Sequence, residues 1–225
     1  MLFIYNRGQI QTYLWNLIYP LISEAIRNGE TITVLSGNDS AQFCSHFENS
    51  EQLSHIKTAT GTVAHLFQLM RFIKMSKQQR CVVLTENQAI IFGILSRLLQ
   101  IANKITIYKQ GALAAEKFFL SGKRYKRSLY LLLEKLALRL VHDAIFVSNK
   151  MADYYKEHFN YKKDYIVINN KIVLSGKPTL AVDKSDKTEI VYAGSTSKWQ
   201  NIDYILQLFK TLDNKTGIQF KIITT

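Results

Sequence analysis

The sequence predicts an α/β fold built on a doubly wound parallel sheet, and three observations lead there. Short runs rich in β-branched and aromatic residues alternate with longer segments of helical period, the pattern of strands joined by crossover helices. Most of the short runs are apolar at successive positions, as expected of strands covered by helices on both faces. Beyond Lys187 the alternation starts afresh, which predicts a second, partial α/β unit.

The first strand, Leu2–Tyr5, runs into a turn at Asn6-Arg7-Gly8, and the opening residues lack the basic-then-apolar order of a signal peptide. A helix is predicted over Tyr13–Arg27, where Leu14, Leu17, Ile18, Leu21, Ile22 and Ala25 recur at helical spacing and Asn28-Gly29 suits a left-handed cap. Pro20 inside it implies a kink or a later start. Further strands are predicted at Thr31–Leu35, Cys81–Thr85, Lys104–Tyr108, Ala144–Val147 and Tyr165–Ile168, with a weaker one at Leu53–Lys57. Helices fall at Val63–Met75 and Gln88–Ala102, and the second carries so many apolar residues, from Ile90 to Leu99, that it is expected to be largely buried. Leu113–His142 reads as two helices broken near Ser121-Gly122, and Lys150–Phe159 as another. The longest apolar stretch, Ser128 to Val147, contains Glu134, Lys135, Arg139, His142 and Asp143, too much charge for a membrane-spanning helix.

Residues 1–170 are therefore expected to form one Rossmann-like lobe. Residues 171–187, with Gly176-Lys177-Pro178 and Asp183-Lys184-Ser185-Asp186-Lys187, read as a linker. Residues 188–225 open a second lobe with strand Glu189–Ala193, loop Gly194–Trp199, helix Gln200–Leu212 and strand Gln219–Ile223. A single strand–helix–strand unit has too little core to stand alone, so it is expected either to dock on the first lobe or to belong to a protein cut short.

Lys and Arg number 29 against 17 Asp and Glu, giving a formal charge of +12 and a surface suited to anionic partners. Cys44 and Cys81 stand far apart, and His46, His55, His65, His142 and His158 are scattered without nucleophile–base or metal-ligand spacing. No disulfide framework, zinc site or other cofactor is expected, and a cytoplasmic setting fits.

Several short motifs lie where a parallel sheet presents ligands, just after strands. They are Tyr5-Asn6-Arg7-Gly8, Glu86-Asn87, Ile107-Tyr-Lys-Gln-Gly111-Ala-Leu-Ala-Ala-Glu116, Asp143-Ala-Ile-Phe-Val-Ser148, Tyr165-Ile-Val-Ile-Asn169-Asn170 and Glu189-Ile-Val-Tyr-Ala-Gly194-Ser-Thr-Ser-Lys-Trp199. In this order the motifs resemble those of the retaining, two-lobed glycosyltransferases of family four, the B-type fold, over a bit more than half of a typical member. The resemblance implies transfer of a sugar from a nucleotide-sugar donor to a glycan or lipid-linked acceptor in cell-surface polysaccharide synthesis. It further implies that the donor's acidic motif lies beyond Thr225, so that this chain alone has little or no transferase activity.

A strand that ends at Gly194 before a helix start offers backbone N–H groups to a diphosphate, with Ser195, Lys198 and Gln200 as the neighbouring candidates. Relatives place basic residues at the positions of Ser195 and Gln200. Candidates for the cleft and acceptor side are Asn6, Arg7, Gly8, Glu86, Gly111, Glu116 and Asn170. Glu116 suits a sugar hydroxyl or a lysine, or serves only the dipole of its helix; Ser148 either lines the cleft or is an N-cap.

The basic stretch that includes Lys123, Arg124, Lys126 and Arg127 is interleaved with Phe118, Tyr125 and many leucines. Such a helix pair either lies on an anionic membrane at the inner face of the cell, or forms a solvated rim over a core stripe of Leu129, Leu133, Leu136 and Leu140. Nucleic-acid binding ranks below both, because no recognition helix, stacking strand or zinc motif accompanies the lysines. A non-catalytic membrane- or partner-binding module is the remaining alternative.

Overall fold

The computed structural model describes residues 1–8, 10, 12–44, 47, 51–168, 188–193, 202–212 and 218–223. In chain order the first part contains β1 (Leu2–Tyr5), α1 (Thr12–Arg27), β2 (Ile32–Ser36), α2 (Ser40–Cys44), β3 (Leu53–Lys57), α3 (Thr62–Met75), β4 (Arg80–Val83) and α4 (Glu86–Leu98). It continues with β5 (Lys104–Lys109), α5 (Leu113–Ser121), α6 (Arg124–Leu140), β6 (Asp143–Phe146), α7 (Asn149–Phe159) and β7 (Tyr165–Val167). After residue 187 come β8 (Thr188–Ala193), α8 (Ile202–Leu212) and β9 (Ile218–Ile223).

Seven strands pair in the order β3-β2-β1-β4-β5-β6-β7, every pair parallel. This is a Rossmann-like α/β fold. The sequence leaves and returns across β1, so β1 and β4 flank the switch point at which crossovers part to opposite directions. Two-residue alternation divides the core between the faces. Phe3 and Tyr5 of β1, Cys81 and Val83 of β4, and Ile105 and Ile107 of β5 pack with α3, α4, α6 and α7. Leu2, Ile4, Val82 and Tyr108 point the other way, to Ile18, Ile22 and Ala25 of α1 and Phe43 of α2.

Local chemistry sets the helix ends. Thr85 caps α4 by accepting from Gln88 N at 3.4 Å, and Ser148 caps α7 by accepting from Met151 N at 3.2 Å, the capping role of Ser148. Gly122, at φ 63°, ends α5 in the left-handed region and turns the chain into α6. At the far end of α6 the Lys163 ammonium donates to the carbonyls of Leu138 at 2.9 Å, Arg139 at 3.0 Å and Val141, so a cation meets the negative end of the helix.

Two readings of the helices are corrected. The helix predicted over Gln88–Ala102 starts at Glu86, stops at Leu98 and buries one face only, through Gln88, Ala89, Phe92, Gly93 and Ser96. Ile91, Ile94 and Leu98 are exposed, because apolar content does not say which side of a helix meets the sheet. In α6 the buried residues are Glu134, Ala137, Leu138 and Leu140, whereas Leu129 is 53% and Leu136 38% exposed. The stripe of Leu129, Leu133, Leu136 and Leu140 is thus not a core stripe. Pro20 lies inside an α1 that runs on from Thr12 to Arg27.

β8 and β9 pair parallel in a sheet of their own, with α8 between them in sequence. Phe209 of α8 stacks on Phe220 of β9 at a centroid distance of 4.5 Å. The expected linker, residues 171–187, lies outside the described residues.

α4 and α6 approach closely at Gly93, where an added Cβ would stand 3.0 Å from Leu140 Cβ. Gly93→Val is expected to cost about 1–3 kcal/mol through overpacking, and Gly122→Ala about 1 kcal/mol through its positive φ; denaturant midpoints of the two variants check this.

Candidate functional site

The switch point fixes where a site forms, because the strands on either side of it end at the same edge and leave a crevice. Asn6 follows β1 and is buried; its amide nitrogen donates to Gly8 O at 2.9 Å, and its Oδ1 accepts from Gln88 Nε2 at 2.7 Å. Gln88 Oε1 in turn accepts from Leu84 N at 3.1 Å. This amide relay links the end of β1 to the end of β4 and holds the crevice floor. Gly8 O also accepts from Gly37 N at 2.8 Å, tying in the loop after β2.

Above the floor lies a cavity of about 400 Å³, lined by Tyr5, Arg7, Thr85, Asn87, Gln88, Ile90, Ile91 and Leu133. Arg7 is exposed and makes no ion pair among the described residues. Beside it, the Tyr5 hydroxyl and His65 Nε2 share a 2.9 Å hydrogen bond. Burial raises the Tyr5 phenol to about 12 against the opposing pull of the Arg7 charge. Burial, reinforced by Arg7, holds the His65 imidazole below its ordinary value.

One strand over, the carboxyl edge carries a buried ionic cluster. Lys109, the last residue of β5 and 2% exposed, pairs with Glu86 at the start of α4 and with Glu134 Oε1 of α6 at 3.0 Å. Glu134 also accepts from Leu113 N at 3.1 Å, Ala114 N at 3.2 Å and the Tyr155 hydroxyl at 2.5 Å. α5 has no side-chain cap of its own, so the Glu134 carboxylate supplies one from another helix. The Lys109 ammonium lies 4.9 Å from the Tyr155 ring centroid. Burial, then the Glu134 charge and hydrogen bond, push the Tyr155 phenol far above its usual range, which keeps it a donor.

Of the residues singled out in the sequence, Asn6, Arg7 and Gly8 come together with Asn87 and Gln88 at the crevice. Glu86 joins the ionic cluster. Gly111 and Glu116 meet each other: the carboxylate folds over Gly111 so closely that a Cβ there would stand 1.9 Å from Glu116 Oε1. Gly111 O lies 3.2 Å from the Tyr155 hydroxyl. Lys123, Arg124, Lys126 and Arg127 gather at the amino-terminal end of α6, with Arg127 over the Phe118 ring at 5.4 Å. Asn170, Gly194, Ser195, Lys198 and Gln200 lie outside the described residues. Sequence reasoning missed Lys109, Glu134 and Tyr155. The available signals were a lysine closing an apolar strand and a single acid in a helix otherwise basic and apolar.

The chain matches no protein-family profile and no curated protein sequence. Its fold is shared with solved structures at low identity. HepE of Anabaena, solved with UDP and glucose, is similar over 100% of this chain and 69% of its own, at 12% identity and a TM-score of 0.54. MnaA of S. aureus, solved with UDP, matches over 100% of this chain and 62% of its own, at 13% identity and a TM-score of 0.59. A glycosyltransferase from Rickettsia africae ESF-5 matches over 100% and 68%, at 11% identity and a TM-score of 0.55. Among the described residues no cluster of His, Cys, Asp and Glu is arranged to hold a metal, and no helix is long and apolar enough to cross a membrane.

Lys109→Met strands two carboxylates in the cluster, and an expected loss of about 3–5 kcal/mol follows from breaking a buried pair; chemical denaturation reads it. Burial also holds the imidazoles of His55, His65 and His142 below 6.5. The unfolded chain then binds protons more readily than the folded one, so this stability is complete above 6.5 and is lost as the pH falls through the lower folded values. The denaturation midpoint should be lower at roughly pH 5.5 than at pH 7.5, by a smaller margin in His65→Gln.

Proposed function

We propose that this chain forms the acceptor-side half, and the beginning of the donor-side half, of a glycosyltransferase that moves a sugar from a nucleotide-sugar to an acceptor at an anionic membrane surface. The observation that carries the reading is the crevice at the switch point of the seven-stranded sheet, in a fold shared with proteins solved with UDP and sugar. Residues 1–170 are the first lobe, 171–187 the linker and 188–225 the start of the second. In this reading the Gly194 loop, with Ser195, Lys198 and Gln200, takes the donor diphosphate. The crevice beside Arg7 and Asn87 presents the acceptor hydroxyl. Holding the leaving diphosphate in a field of backbone N–H groups lowers the barrier as negative charge develops on it, and facing lobes supply proximity. Retention of configuration is expected from the family resemblance.

The membrane part of the reading rests on α6. Its first turn holds cations and no acid, although the amino-terminal end of a helix is already positive. That arrangement is unfavourable for the isolated helix and becomes favourable against a sheet of negative headgroups, where each cation contributes about 1 kcal/mol. Tyr125, Leu129 and Leu132 are exposed between the cations and supply an apolar face for the interface.

Two measurements test the reading. Sedimentation with vesicles containing anionic lipid should show binding that falls with salt, and reversal of Lys123, Arg124, Lys126 and Arg127 to Glu should weaken it by at least about tenfold. Tight, saturable binding to duplex DNA with none to vesicles would overturn the membrane assignment. In a panel of nucleotide sugars, the chain alone should release little nucleotide; robust turnover would show that the donor site is built differently.

A further inference from the structure

α3 and α4 lie side by side on one face of the sheet, sending Leu69, Phe72 and Ile73 from the first and Ala89 and Phe92 from the second into the core. Their first turns stand level, because His65 of α3 reaches Tyr5 and Gln88 of α4 reaches Asn6, neighbours at the end of β1. Away from the core, α3 exposes Val63, Leu66 and Phe67, and α4 exposes Ile91, Ile94 and Leu98. Each set recurs at spacings of three and four, so each occupies one face of its helix. A solvated helix sets its charges on that face. Here residues 61–70 and 87–96 contain no Asp, Glu, Lys or Arg, although 20% of the chain is charged. Cations return at Arg71, Lys74 and Arg97, all exposed, in the turns nearer the amino edge of the sheet.

The chemistry and the size of this face select what covers it. A face that lies on a membrane carries Lys and Arg among its apolar residues, as the start of α6 does and this zone does not. A strongly charged partner finds nothing here to pair with. A second copy of the chain carries the same net charge of +12 and is repelled wherever cations meet their own kind, so a zone free of charge is where two copies can touch. Association about a two-fold axis brings each residue near its own counterpart, which a charged face resists and an apolar one allows. The area agrees. At roughly 170 Å² for each fully exposed residue of this size, the six exposures, between 38% and 73%, amount to roughly 550 Å². One side of a homodimer interface of standard size buries about 800 Å², about 65% of it apolar, or roughly 520 Å².

We infer that two copies of this chain associate through the α3–α4 face, about a two-fold axis that passes close to Ile94, the middle residue of the exposed set on α4. The inference is independent of the glycosyl-transfer reading, and the contact uses none of the cations of α6. Ile91 belongs both to this face and to the wall of the crevice, so the second copy stands beside the crevice of the first.

Sedimentation equilibrium of the full chain over about 1–100 µM tests this, and a monomer–dimer equilibrium in the micromolar range is expected. A chain that stays monomeric to about 100 µM would overturn the inference. Ile94→Glu and Ile94→Lys are each expected to weaken association at least about tenfold, by setting like charges opposite each other at the axis. An equimolar mixture of the two is expected to recover it, since the facing charges are then of opposite sign. Undiminished dimers in both variants would overturn the face, and weakening without recovery on mixing would overturn the axis. Circular dichroism and the denaturation midpoint report whether the charged variants fold. Ile94→Cys introduces no charge and is expected to form a disulfide-linked dimer on mild oxidation in higher yield than the native chain, whose Cys44 is half-buried and Cys81 buried; equal yields would again overturn the axis. Binding of the monomer to uncharged phosphatidylcholine vesicles, abolished by Ile94→Glu, would show that lipid covers the face and would overturn the second copy as its occupant.

Discussion

The carboxyl edge of the sheet depends on one buried ammonium. Lys109 sits at the end of β5 among apolar neighbours, and a charge there is tolerable only because two carboxylates from different helices come to meet it. That requirement fixes three elements at once. Glu86 sets the start of α4, Glu134 sets the register of α6, and the same Glu134 carboxylate caps α5 and receives the Tyr155 hydroxyl of α7. A hydrophobic substitute of similar volume would fill the space without specifying any of these positions. The crevice wall is therefore built by polar matching, and the apolar core beneath it provides the bulk of the stability.

The strands were legible because a parallel sheet covered on both faces demands continuous apolar runs, and Leu2–Tyr5, Lys104–Lys109 and Asp143–Phe146 supply them. Even the edge strand Leu53–Lys57, which is partly exposed, kept enough alternation to be found. The five-residue α2 was not, since a helix of that length has too few turns to show a period. The buried face of α4 was misread, and that of α6 left open between two readings, for a different reason. Their leucines and isoleucines occur on more than one side, so the side that meets the core, marked by Ala89 and Phe92 in α4 and by Ala137 and Leu138 in α6, is settled only in the folded chain.

Of the site, the residues adjacent to strand ends were legible and those reaching in from elsewhere were not. Asn6 and Arg7 follow β1 directly, so topology alone puts them at the crevice. Glu134 and Tyr155 lie in mid-helix, Glu134 marked only by being the one acid of its helix and Tyr155 by nothing nearby; their meaning comes from Lys109 across the sheet edge. Glu116 shows the opposite case. It and Gly111 both follow β5 in sequence, yet only the folded loop shows its exposed carboxylate lying over the space beside Gly111.

The relay of Leu84, Gln88, Asn6 and Gly8 has no ionisable member. Amides neither gain nor lose protons over the range in which the neighbouring His65 imidazole does. Acidification thus leaves this link between β1 and β4 uncharged and acts instead on the buried His65 imidazole that bonds the Tyr5 hydroxyl. A molecule seated over the relay would meet the same uncharged amides in a mildly acid compartment as in a neutral one, while the Tyr5–His65 hydrogen bond beside it would respond.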